Sequence, residues 1–146
     1  MIYKKLILLI ACIMLACTVA IQPAMAKSSI HINKMTMQFE DADAIFTLDY
    51  ELSPFPDLYV LLLGTQGLDG EVQEIFSDFD NVEIKKIGRK RAVVRARNIA
   101  TQSSGYYLLF SHELNADVDT LIVKFPGGTS RVYTDTATTP NTFYEY

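Results

Sequence analysis

Along residues 44–52, apolar and polar side chains alternate with period two. Ala44, Phe46, Leu48, Tyr50 and Leu52 share one parity, and Ile45, Thr47, Asp49 and Glu51 the other, continuing from Asp43. Successive side chains of a strand point to opposite faces, so this stretch predicts a strand with one apolar face and one mostly acidic, wet face. Residues 30–39 predict its hairpin partner. There Ile30 and Ile32 fall on one parity, and Met35, Met37 and Phe39 on the other. A bulge near Asn33 and Lys34 reconciles the two halves.

The period then lengthens. Ser53, followed by Pro54 and Pro56, marks a helix start, because proline is tolerated in the first turn, where amides are unbonded anyway. Residues 55–63 are apolar nearly all round, which predicts a short helix buried on several sides, ended by Gly64 and Gly67. Asp69 is placed to cap a second helix. Val72, Ile75, Phe76 and Phe79 recur there at the spacing of one helical stripe, predicted to pack on the sheet. Strands resume at residues 82–87 and 91–99, a hairpin about Gly88, Arg89 and Lys90, and again at 106–110, 118–125 and, briefly, 131–133. Phe143, Tyr144 and Tyr146 close the chain. They predict a tail folded back over an apolar patch, with strand addition to a partner as the alternative.

This order predicts an α+β fold: an antiparallel β-sheet of about six strands, with two adjacent helices inserted after the first hairpin and packed on one face. The alternative is a β-sandwich with a small helical insert. A transmembrane β-barrel is disfavoured, because the second and third strands are joined by helices rather than a short turn.

Composition changes the picture at the N-terminus. Lys4 and Lys5 precede an apolar run over residues 6–21, broken by Thr18 alone, and Pro23 precedes Ala24, Met25 and Ala26. A basic start, an apolar segment and a small-residue site, in that order, predict a secretory signal peptide cleaved after Ala26, with Ala24 and Ala26 filling the peptidase pockets. The chain therefore divides into a signal peptide at 1–26 and one globular domain at 27–146. An uncleaved leader acting as a membrane anchor is the alternative. Its run of 16 residues falls short of the roughly 20 that span a bilayer. Lipidation at Cys12 or Cys17 is weaker still, because the segment order fits poorly. No later segment is long and apolar enough to span.

Removing Lys4 and Lys5 from the 13 basic residues leaves 11 against 17 acids, a net charge of −6 in place of −4. Cys12 and Cys17 leave with the leader, so the mature domain has no cysteine. That excludes a disulfide scaffold, a zinc-thiolate site and a cysteine nucleophile.

Catalytic chemistry is hard to find. His31 and His112 lie far apart, with Glu113 the nearest acid to the second, and no metal-ligand spacing joins them. Ser103-Ser104-Gly105 and Gly128-Thr129-Ser130 read as turns rather than nucleophile elbows. Gly127-Gly128 lacks the lysine of a phosphate loop. Asp49 and Glu51 share a strand face that solvation alone explains. We expect no cofactor, no metal and no catalytic residue.

One feature is distinctive. Lys85, Lys86, Arg89, Lys90, Arg91, Arg95 and Arg97 place seven basic residues within 13 positions, without an acid among them. As a functional site they form a face for an anionic envelope component or protein partner. As structure they are neutralised by acids on a neighbouring strand, such as Asp49, Glu51 or Asp119. Nucleic acid is not expected as a partner of an exported acidic domain. The sequence thus points to a secreted or periplasmic, non-enzymatic cell-envelope domain that binds or scaffolds another envelope component. A small exported carboxylate-dependent hydrolase and a surface-assembly subunit are the alternatives. The oligomeric state is left open by the sequence. Intact mass of the protein from its host should show an N-terminus at Lys27; a product retaining Met1 in soluble cytosol would overturn the export reading.

Overall fold

The computed structural model describes residues 30–145. The leader, with Ala24, Ala26 and both cysteines, lies outside the described residues, as does Tyr146. Eleven elements follow in order: β1 Ile30–Glu40, β2 Asp43–Leu52, α1 Pro54–Leu63, α2 Leu68–Ile75, β3 Val82–Ile87, β4 Arg91–Ala96, β5 Ala100–Ser103, β6 Tyr106–Leu109, β7 Glu113–Lys124, β8 Ser130–Thr138 and β9 Thr142–Glu145. The architecture is α+β, with the helical insert where the sequence places it.

The main sheet has six strands in the order β3-β4-β2-β1-β7-β8. β1 and β2 form the expected hairpin, from Ile30 opposite Leu52 to Glu40 opposite Asp43, and the register slips between Ile32 and Lys34, where the parity change required a bulge. The sheet is mixed rather than antiparallel throughout, because β7 pairs with β1 in parallel. Ile32 lies opposite Val118, Met35 opposite Leu121 and Met37 opposite Val123, so the apolar parities of both strands face the same way. A parallel neighbour needs a long crossover. Everything from α1 to β6 supplies it.

A second, small sheet, β5-β6-β9, accounts for the other departure. The strand expected over residues 91–99 ends at Ala96. Asn98 takes a left-handed backbone, φ 52°, and its amide donates to the Asp43 carboxylate at 2.9 Å. The chain leaves the main sheet there and begins β5. β9 pairs with β6, placing Tyr107 opposite Tyr144. The Tyr144 ring stacks on Phe39 at 4.0 Å, and its hydroxyl donates to the Asp41 carbonyl at 2.5 Å. The tail therefore folds back onto its own domain.

The core lies between the main sheet and the layer formed by the helices and the small sheet. Ile32, Met35, Met37, Phe46, Leu48, Val94, Leu121 and Val123 project into it from the sheet and are fully buried. From α2 and the loop after it, Val72, Ile75, Phe76 and Phe79 pack against them, with Phe46 and Phe76 rings 4.9 Å apart. The described core runs from Ile30 to Tyr144. Two local expectations are corrected. α2 is preceded by Gly67 in a left-handed conformation, and Asp69 sits in the first turn instead of capping. Ser53 makes no side-chain cap, although its carbonyl accepts from the Asp57 amide.

α1 departs most from expectation. Only Val60 is buried; Phe55 is 86% exposed and Leu62 71%, while Leu58, Tyr59, Leu61 and Leu63 are each more than half exposed. A helix apolar all round normally lies inside a protein. This one lies on the outside, because one short helix plus β5-β6-β9 already covers the apolar sheet face.

Replacing Tyr144 with Ala should lower unfolding free energy by about 3 kcal/mol, the usual cost of deleting a buried aromatic. Chemical denaturation measures it; a loss below about 1 kcal/mol would show that the tail is not docked.

Candidate functional site

The basic segment of residues 85–97 occupies β3, the turn at Gly88-Arg89-Lys90, and β4 with the residue after it. Ala92, Val94 and Ala96 point into the core, which turns Arg91, Val93 and Arg95 to the opposite face. β4 is flanked by β2 and β3, and both offer acids on that same outer face. The arginines meet them. Arg91 lies directly opposite Asp49 and donates from Nε to its carboxylate at 2.5 Å, while Lys34 approaches the other oxygen at 3.1 Å. Arg95 binds Asp43 at 2.9 Å and Glu40 at 3.4 Å. Arg97 binds Glu83 at 2.8 Å, and Lys85 binds the other Glu83 oxygen at 2.6 Å.

These contacts set the acidities. Hydrogen bonds from Arg97 and Lys85 pull Glu83 down to about 2. The bond from Arg91, and then that from Lys34, holds Asp49 below the usual carboxylate range. Asp43 is lowered first by the Asn98 amide and then by Arg95. All of these groups remain charged at neutral pH. The outer face is therefore a lattice of alternating charges rather than a basic stripe. Of the acids expected to neutralise it, Asp49 does so. Glu51 instead accepts from the Asn33 amide at 3.2 Å, and Asp119 meets His31 at 3.0 Å.

The turn is different. Arg89 grips Asp57 of α1 in a two-pronged contact, Nε and Nη2 each 2.5 Å from a carboxylate oxygen. The Tyr50 hydroxyl donates to the Gly88 carbonyl, and the Tyr50 amide donates to the Lys90 carbonyl at 3.0 Å. Burial, and then the charge of Asp69, push the Tyr50 phenol up to about 12, so it stays a donor. The turn is thereby fixed to both β2 and α1. Lys86 and Lys90 are exposed and form no ion pair among the described residues. Five of the seven basic residues, Lys85, Arg89, Arg91, Arg95 and Arg97, are matched within the chain; Lys86 and Lys90 have no ion pair among the described residues.

An open depression of about 360 Å³ lies beside the turn, lined by Asn33, Asp49, Tyr50, Glu51, Lys90 and Arg91. It does not include His112. That histidine is held elsewhere: its Nδ1 lies 3.3 Å from Asp78, and its ring stacks on Phe79 at 4.4 Å. Asp49 and Glu51 are thus not joined to His112 in this depression. No group of three or more His, Cys, Asp or Glu able to hold a metal is found among the described residues. No helix among them is long and apolar enough to cross a membrane.

Two features were not read from the sequence as parts of a site. One is Asp57, the acid that ties the basic turn to α1. The other is a wider cleft of about 530 Å³ between the β7–β8 turn and β9, bounded by Phe125, Arg131 and Phe143, where the Arg131 guanidinium lies 5.4 Å from the centre of the Phe125 ring. Neither carries a local motif. Their partners lie 32 residues away in the first case and on separate strands in the second.

Two tests follow from the charge lattice. The Glu83 carboxyl should titrate near 2 by carbon NMR; the stability it confers is complete above its ordinary value of 4.5 and lost as pH falls through 2. Titration at 4.5 would mean that Arg97 and Lys85 do not hold it in solution. Arg95→Glu sets a third acid against Asp43 and Glu40 and should lower the melting temperature by roughly 5 °C, whereas Lys86→Glu with Lys90→Glu should leave it unchanged. No protein family matches this sequence, and no curated protein or solved structure matches it either.

Proposed function

We propose that this chain is exported and acts outside the cytoplasm as a non-enzymatic domain of the cell envelope, binding an anionic envelope component at the β3–β4 turn. The observation that carries this reading is the division within the basic segment. Arginines on the sheet face are paired with acids, while Lys86 and Lys90 beside the turn are not. A rigid turn bearing uncommitted ammonium groups suits an anion, because neither the loop nor the charge partners need rearrange on binding. Support for a binding role also comes from the clamp of Tyr50 and Arg89, which holds the turn against β2 and α1.

The proposed site is narrower than the seven-residue stripe. Arg91, Arg95 and Arg97 belong to the sheet, so their reversal would disturb the fold as well as the surface. In the surface-assembly alternative, residues 142–146 engage a second chain. The pairing of β9 with β6 uses that segment within its own domain.

Retention on an anionic envelope fraction should be strong at low salt and fall steeply as salt rises, since exposed charges are screened within about 10 Å at 0.1 M. The double variant Lys86→Glu, Lys90→Glu should lose at least about tenfold in retention while keeping its melting temperature. Undiminished retention of that variant would overturn the proposal.

A further inference from the structure

We infer that α1 and the β3–β4 turn together form a lipid-surface contact, with α1 lying flat in the headgroup region of an anionic membrane. The inference rests on the proposed function and names the anionic component as a bilayer. At 100° per residue, Leu58, Leu62 and Phe55 fall on one side of α1, flanked by Leu61 and Tyr59, with Val60 directed inward. The most exposed members, Phe55 and Leu62, lie at the middle of that arc. Six large apolar side chains on one surface helix reach the size of patch that marks an interaction site on a soluble domain.

Two observations select lipid as the occupant. First, the one acid within α1, Asp57, is bound by Arg89, so the helix presents no free carboxylate to a headgroup layer. Second, Arg89 joins α1 to the turn that bears Lys90, while Lys86 lies opposite Val93 on the outer sheet face near the same turn. Asp49, Glu51 and Asp69 are other acids at this end; Asp49 is bound by Arg91 and Lys34, Glu51 takes the Asn33 amide, and the charge of Asp69 acts on Tyr50. An apolar helix face beside cationic groups is the arrangement by which amphipathic helices lie on anionic bilayers.

A second copy fits less well. A single ten-residue helix falls short of the ~800 Å² per partner of a standard interface. The apolar leader is no occupant once cleaved after Ala26, since Lys27, Ser28 and Ser29 alone then precede β1.

The test uses the chain beginning at Lys27, with its mass verified, and vesicles of phosphatidylcholine alone or mixed with phosphatidylglycerol. Co-sedimentation should favour the mixed vesicles. Phe55→Gln with Leu62→Gln should weaken it about tenfold without changing circular dichroism or melting, because both side chains are exposed in the free protein. The sequence has no Trp, so Leu62→Trp supplies a single reporter. Its emission should shift to the blue on mixed vesicles and be quenched by acyl-brominated lipid. An unshifted emission on vesicles overturns the inference, as does equal binding of the Gln variant. So does equal binding to both vesicle types, or a dimer that the Gln substitutions dissolve. Binding lost in Lys86→Glu with Lys90→Glu but kept in the Gln variant removes α1 from the site and leaves the proposed function standing. Full binding by the lysine variant removes the proposed function itself.

Discussion

β1 is the strand on which both halves of the main sheet depend. It pairs with β2 on one side and, in parallel, with β7 on the other. Its inward side chains Ile32, Met35 and Met37 have no exposure at all. Each such burial contributes about 1.5–3 kcal/mol, so this strand anchors a large share of the core. The bulge between Ile32 and Lys34 makes it possible, because without the extra residue one half of β1 would present its apolar side to water.

With β1 and β2 fixed back to back with the core, the outer face follows. Asp43 and Asp49 of β2 must point away from Phe46 and Leu48, and Arg91 and Arg95 of β4 away from Ala92 and Val94. The β2–β4 register brings Asp49 opposite Arg91 and Ile45 opposite Arg95, which places Asp43 diagonally within reach of Arg95. Exposed pairs of this kind add little to stability singly. Their effect here is to consume most of the basic segment's charge, leaving Lys86 and Lys90 as its cations without an ion pair among the described residues.

The crossover between β1's hairpin and β7 explains both irregular features. Covering the apolar sheet face takes α2 with Phe76 and Phe79, and the small sheet with Tyr107, Leu109 and Tyr144. Once these are seated, α1 has room to bury Val60 alone. Its remaining leucines, Phe55 and Tyr59 stay outside, beside the turn that Arg89 ties to Asp57.

Local pattern was enough to determine the first hairpin, the bulge in β1, the position of two helices, and the inward and outward faces of β2 and β4. These depend on periodicities of two and about 3.6, which neighbouring residues carry themselves. The length of β7, the end of β4 at Ala96 and the parallel β1–β7 pair were decided by partners distant in the chain. The same holds for the site. Arg91 with Asp49 was legible as one of several cross-strand options, but Arg97 with Glu83 and Arg89 with Asp57 required the register of β3 and the placement of α1. The exposure of α1 is the clearest case. An apolar segment announces that it avoids water, and its sequence does not say whether enough protein surface remains to cover it; only the packed tertiary structure settles that, because burial is a property of neighbours.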